Sequence, residues 1–124
     1  MKEFLAALIM AASLAGSKSN AQDWAYLGGS PQGEVDVDSV TRSGSLARVH
    51  VRFFADRQQA RMYMHQILSV DCSNPAARIT DGWISSSYSS RVAPMPDLPE
   101  YQRKIPIPSP NEAYNTLFNY LCGR

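Results

Sequence analysis

Two thiols, two imidazoles and a few spaced carboxylates are the groups in this chain best equipped for chemistry. Cys72 and Cys122 are its two cysteines. Neither has a Cys or His neighbour, so a tetrahedral zinc site lacks its ligands. In an exported chain two such cysteines pair as a disulfide. The bridge closes a loop of about 50 residues, worth roughly 4 kcal/mol in the chain-entropy model. Against a usual total stability of about 5–15 kcal/mol, that is a large share. Asp36 and Asp38 alternate along one segment, and His50 follows on another. Together they would suit a hard metal or acid/base work. The same residues also fit an exposed, salt-bridged hairpin, which is the reading adopted. His65 reads as a half-exposed strand residue, and Trp24 and Trp83 as packing residues. Ser85-Ser86-Ser87 with Ser89-Ser90 lacks the glycine pattern of a nucleophile elbow. There is no phosphate loop, CxxC pair or glycine-rich nucleotide fingerprint. No catalytic residue, metal or cofactor is therefore expected, and enzymatic activity is not.

The compartment follows from the first residues. Lys2 precedes the apolar run Phe4–Ala15, too short for a membrane span and suited to a signal peptide. Ser19-Asn20-Ala21 places small residues where a signal peptidase reads, so 1–21 is the expected leader and Gln22–Arg124 the mature single domain. The chain's formal charge is +1. Losing Lys2, Lys18 and Glu3 with the leader brings it to zero, without the basic excess of a nucleic-acid binder. Lys104 is then the one lysine. The other cations are arginines, which favour paired, geometrically fixed contacts.

Asp23–Leu27 reads as a first strand before the turn Gly28-Gly29-Ser30-Pro31. Glu34–Asp38 and Arg48–Phe53 each alternate with period two. They fit one antiparallel hairpin centred near Ser43. Val35 then faces Val51 and Val37 faces Val49, while Glu34 meets Arg52, Asp36 meets His50 and Asp38 meets Arg48. Thr41–Ser45 is turn chemistry. Asp56–Arg61 is a polar connection. Met62–Cys72 reads as a long strand with Met62, Met64, Leu68, Val70 and Cys72 inward and Gln66 interrupting that face; a helix over Arg57–Leu68 is the alternative. Ala77–Thr80 and Trp83–Tyr88 read as strands around Asp81-Gly82. Ala93–Pro110 holds six of the eight prolines and should be extended surface loop, since proline cannot donate to a ladder. Ser109-Pro110-Asn111-Glu112 has the form of a capping box. Ala113, Leu117 and Leu121 then mark the buried stripe of a terminal helix, beside Tyr114, Phe118 and Cys122, with Gly123 ending it.

In this order the segments resemble the surface-adhesin protein E family of exported bacterial proteins. Asp36-Val37-Asp38-Ser39-Val40 is similar to the family's Asp-x-x-Ser-Ile segment, and Arg48–Phe53 to the strand after it. Gln66–Cys72 is similar to its apolar strand ending in Cys. Ile107-Pro108-Ser109 through Leu117 to Cys122 is similar to its final helix. The resemblance covers nearly the whole mature chain, although no Trp precedes the Pro-Ser helix start. It implies an α+β fold: an antiparallel sheet of about five to six strands with a C-terminal helix tethered by the Cys72–Cys122 disulfide. It implies an exported binding module, a surface adhesin for host matrix proteins, with self-association into a homodimer as a further implication. The alternative is a periplasmic inhibitor or accessory protein that binds an envelope or enzyme partner. Aromatic and Arg residues are the usual interface anchors. The candidate binding residues are Tyr101 and Arg103 in the proline-rich loop, favoured over Arg48 and Arg52 on the hairpin face.

Overall fold

The computed structural model describes residues 23–57, 60–86, 93–94 and 97–123. The expected leader, Tyr88, Ser87, Ser89 and Ser90 lie outside them. The described residues form eight strands and two helices: β1 (Trp24–Gly28), β2 (Gly33–Asp36), β3 (Thr41–Ser43), β4 (Leu46–Arg57), β5 (Ala60–Asp71), β6 (Ala76–Ser86), β7 (Ala93–Pro94), α1 (Glu100–Arg103), β8 (Lys104–Pro106) and α2 (Glu112–Cys122). One antiparallel sheet runs β1-β2-β4-β5-β6-β7, with β3 also on β4 and β8 also on β6. The α+β class is as expected, with more strands than the five to six read from sequence.

β4 and β5 form the spine, paired from Leu46↔Asp71 to Arg57↔Ala60. Arg57 and Ala60–Leu68 are thus strand rather than helix; of the polar connection expected over Asp56–Arg61, Asp56, Arg57, Ala60 and Arg61 are strand and Gln58 and Gln59 lie outside the described residues. β-branched and aromatic side chains at alternate positions of β4 pack well on a pleated surface. Ala47, Val49, Val51 and Phe53 turn to one face and are buried there with Leu68 and Val70 of β5. Helix α2 covers this face with Ala113, Leu117, Phe118 and Leu121. That is the stripe expected from the sequence. Gln66 is also buried here, satisfied by Tyr114, whose hydroxyl donates to Gln66 Oε1 at 2.8 Å. Burial pushes the Tyr114 phenol up to about 12. Met64 shares the face but is 44% exposed, so the inward position expected for it fails.

Three local features depart from simple alternation. Glu34↔Arg52 and Val35↔Val51 pair as expected. Beyond them Val37–Ser39 winds into a 3-10 turn capped by Asp36, whose side chain accepts from Asp38 N. The chain then rejoins β4 with Thr41↔Arg48 and Ser43↔Leu46. Asp38 therefore does not oppose Arg48, nor Val37 Val49, and Thr41–Ser43 is strand rather than turn. Second, Asp81-Gly82 is no turn. β6 is continuous, and Thr80 is accommodated by a bulge between Ile67↔Asp81 and Leu68↔Ile79. One extra residue reverses the parity of the strand. Ala77 and Ile79 face the helix, while Trp83 and Ser85, also odd-numbered, face away. Third, the proline-rich segment supplies strands β7 and β8 at the sheet edge, where proline is tolerated.

Helix α2 is fixed at both ends. Its cap is Asn111 rather than Ser109: Asn111 Oδ1 accepts from Ala113 N at 3.0 Å, and its Nδ2 donates to Pro31 O at 3.2 Å. Ser109 instead accepts from Asn111 N. Gly29 makes the approach of helix to turn feasible. It has φ +88°, and a Cβ there would collide with Asn111 Oδ1 and lie 2.9 Å from Ala113 N. At the other end Cys122 is bridged to Cys72, with Cα atoms 5.5 Å apart. Arg42 Nη1 donates to Leu121 O at 2.7 Å, where a cation also complements the helix dipole. Gly123, in the left-handed region, ends the helix.

Two stability predictions follow from these ties. Asn111→Ala should cost about 0.5–2 kcal/mol, read as a lower urea midpoint at constant slope; an unchanged midpoint would remove Asn111 as the cap. Cys72→Ser should cost about 2–5 kcal/mol, whereas two titratable thiols in the native protein would contradict the bridge.

Candidate functional site: the open face of the sheet

The alternation that sends the β4 valines toward α2 sends Arg48, His50, Arg52 and Phe54 to the opposite face. Trp24 and Tyr26 of β1, Glu34 of β2 and Tyr63 and His65 of β5 join them there. The Thr80 bulge adds Trp83 and Ser85. Among the described residues no helix lies over its centre; α1 borders it at β6, where Arg78 donates to Glu100.

His65 lies at its centre. It is 8% exposed, so the half-exposed position read from sequence is corrected. Its Nδ1 is 2.8 Å from His50 Nε2, and its Nε2 is 2.7 Å from Ser85 Oγ. The His65 ring stacks on Trp83 with centroids 5.0 Å apart and planes 7° from parallel. His50 meets Trp24 edge-on at 5.0 Å. A buried imidazole needs partners for both nitrogens, and the strands on either side of β5 supply them. Ser85–His65–His50 has the order of a nucleophile, a base and an orienting group. Ser85 is itself buried, at 7% exposed. The line is a polar brace across β4, β5 and β6.

Arg52 is the second fixed point. Its guanidinium lies 4.0 Å over the Trp24 ring and 4.1 Å over that of Tyr63. Its Nε donates to Glu34 Oε1 at 2.7 Å. Two aromatic faces and a carboxylate hold one planar cation, the arrangement to which Arg is best suited. The Glu34–Arg52 pair of the expected hairpin forms. Asp36 is buried as a cap and Asp38 is exposed on the 3-10 turn, so the imagined Asp36–Asp38–His50 constellation does not assemble. Among the described residues no group of three His, Cys, Asp or Glu side chains converges on a point.

Beside the clamp lies a cleft of about 250 Å³ lined by Tyr26, Gln32, Glu34, Phe54 and Tyr63. Tyr26 is 66% exposed. Phe54 and Tyr63 meet edge to face at 5.8 Å.

The four candidate binding residues divide. Arg52 is committed to the clamp, and Arg48 is exposed on the same face. Tyr101 is 76% exposed on α1. Arg103 is engaged within its own segment, donating to Leu98 O and Asp97 Oδ1. This pair lies toward the β8 edge, with β5 and β6 between it and β4. Sequence reasoning passed over Trp24, Tyr63, His65 and Trp83 as a group. The available signal was that aromatic or imidazole residues fall on the non-core parity of β1, β4 and β5; β6 needed the bulge to be known. No family model, curated protein or solved structure matches the chain, and among the described residues no helix is long and apolar enough to cross a membrane.

Burial holds His50 below the ordinary imidazole value of 6.5, with Asp36 opposing and Arg52 reinforcing the shift. The unfolded chain therefore takes up this proton at higher pH than the folded one. The associated stability is complete above 6.5 and declines as the pH falls below it. Urea midpoints measured stepwise from neutral to mildly acid pH should fall, and His50→Gln should flatten the fall. An identical slope in the variant would dissociate His50 from it.

Proposed function

We propose that this chain is an exported binding module that docks a protein partner on the open face of its sheet. One observation carries the reading: five aromatic residues, Trp24, Tyr26, Phe54, Tyr63 and Trp83, share a face with Arg48 and Arg52. Trp, Tyr and Arg dominate the binding energy of protein interfaces. Here Arg52, the histidines and both tryptophans are already locked in place, so little side-chain entropy remains to be lost on docking. The disulfide supports an oxidising compartment, and the apolar leader supports export. The resemblance to surface-adhesin protein E makes host matrix proteins the first partners to try. The open face replaces the proline-rich loop as the preferred surface, because Arg103 is occupied and, among the described residues, Tyr101 makes no aromatic contact there.

Purified exported protein should be retained by immobilised host matrix proteins. Tyr101→Ala should be retained equally. Tyr26→Ala/Arg48→Ala should weaken retention by about tenfold or more with unchanged thermal unfolding. Equal retention of all three would reject the open face, and retention of none would reject matrix binding.

A further inference from the structure

We infer that the cleft lined by Tyr26, Gln32, Glu34, Phe54 and Tyr63 is a receptor pocket for a guanidinium side chain presented by the partner. The inference rests on the docking reading above and names the chemistry that the partner brings to this part of the face.

The cleft's walls define its ligand. Three rings, from Tyr26, Phe54 and Tyr63, surround a space of about 250 Å³, and aromatic faces carry negative potential that attracts a cation. Glu34 contributes a carboxylate and Gln32 a neutral amide. No basic side chain is among the described residues that line it. The Glu34 side chain is 33% exposed, and the bond from Arg52 Nε engages Oε1. A carboxylate has lone pairs for several donors, so Glu34 can accept from a second guanidinium through Oε2.

The neighbouring clamp supplies the precedent. This chain already binds one guanidinium with the same parts: Arg52 lies against Tyr63, over Trp24, and is tied to Glu34. Tyr63 and Glu34 belong to both arrangements. The cleft repeats the chemistry on the Tyr26 side, with a ring that is 66% exposed where the clamp has Trp24. A planar guanidinium has the shape to stack on a ring and to donate to a carboxylate in the same plane. An anionic partner group would meet the ring faces and the Oε2 lone pairs of Glu34, neither of which donates to it, while the Arg52 charge is engaged by Glu34 Oε1. A purely apolar group would leave the Glu34 and Gln32 polar atoms covered without a hydrogen bond, which is costly.

The test uses N-acetyl-arginine amide and its uncharged isostere, N-acetyl-citrulline amide, titrated at millimolar concentrations into the exported protein. The ring resonances of Tyr26 and Tyr63 are followed by NMR. The arginine probe should shift both saturably and bind about tenfold tighter than citrulline, the difference a cation–π contact of roughly 1–2 kcal/mol supplies. Tyr26→Ala should weaken the arginine probe at least severalfold. Absence of saturable shifts, or equal binding of the two probes by the wild-type protein, would overturn the pocket without recourse to any variant. Retention of a matrix protein alongside such a failure would remove the pocket and leave the docking face. Selective arginine binding with no retained matrix protein would uphold the pocket and reject the choice of partner.

Discussion

Helix α2 is held at both ends, and the arrangement of the sheet depends on it. At the start, one side chain closes two structures. Asn111 accepts from the Ala113 N–H in the first helical turn and donates to the carbonyl of Pro31 in the β1–β2 turn. At the end, the disulfide and Arg42 anchor the last turn to β5 and β3. Between these ties, four apolar side chains cover Val35, Val49, Val51, Leu68 and Val70. An amphipathic helix of this length is marginal alone in water. It is stable here because its apolar stripe has a sheet to cover and its ends have fixed partners.

Once one face is committed to the helix, the other must be reconciled with solvent. The solution adopted is not a layer of charges. Arg52 is desolvated by two rings and compensated by Glu34. His65 is buried and compensated on both nitrogens by neighbouring strands. These groups give the face rigidity of its own. That property links the fold to the docking function proposed for it: a surface built from locked aromatic and cationic side chains recognises shape with little ordering cost.

What the sequence made legible was local. The Ala113–Leu117–Leu121 spacing specified α2, and the Val49–Val51–Phe53 alternation specified the core face of β4. Glu34 and Arg52 were placed correctly because their segments keep strict register. The failures came where one residue alters parity or where competition is decided by distant groups. Thr80 looks like any strand residue, yet the bulge around it decides where Trp83 points. Ser109 and Asn111 are both good caps; Pro31, far away in sequence, favours the second. His65 alternates as a surface residue should, and only its neighbours on β4 and β6 bury it.

The prolines at the sheet margin bear on crowding rather than on recognition. Pro94 pairs with Trp83 and Pro106 with Ala76, both in strands flanking β6 at the outer side of the sheet. An outermost strand normally offers a row of amide donors to any similar strand it meets. Proline has none to offer. The prolines thereby interrupt the margin along which copies of the chain would stack, and so discourage growth into fibrils from that side.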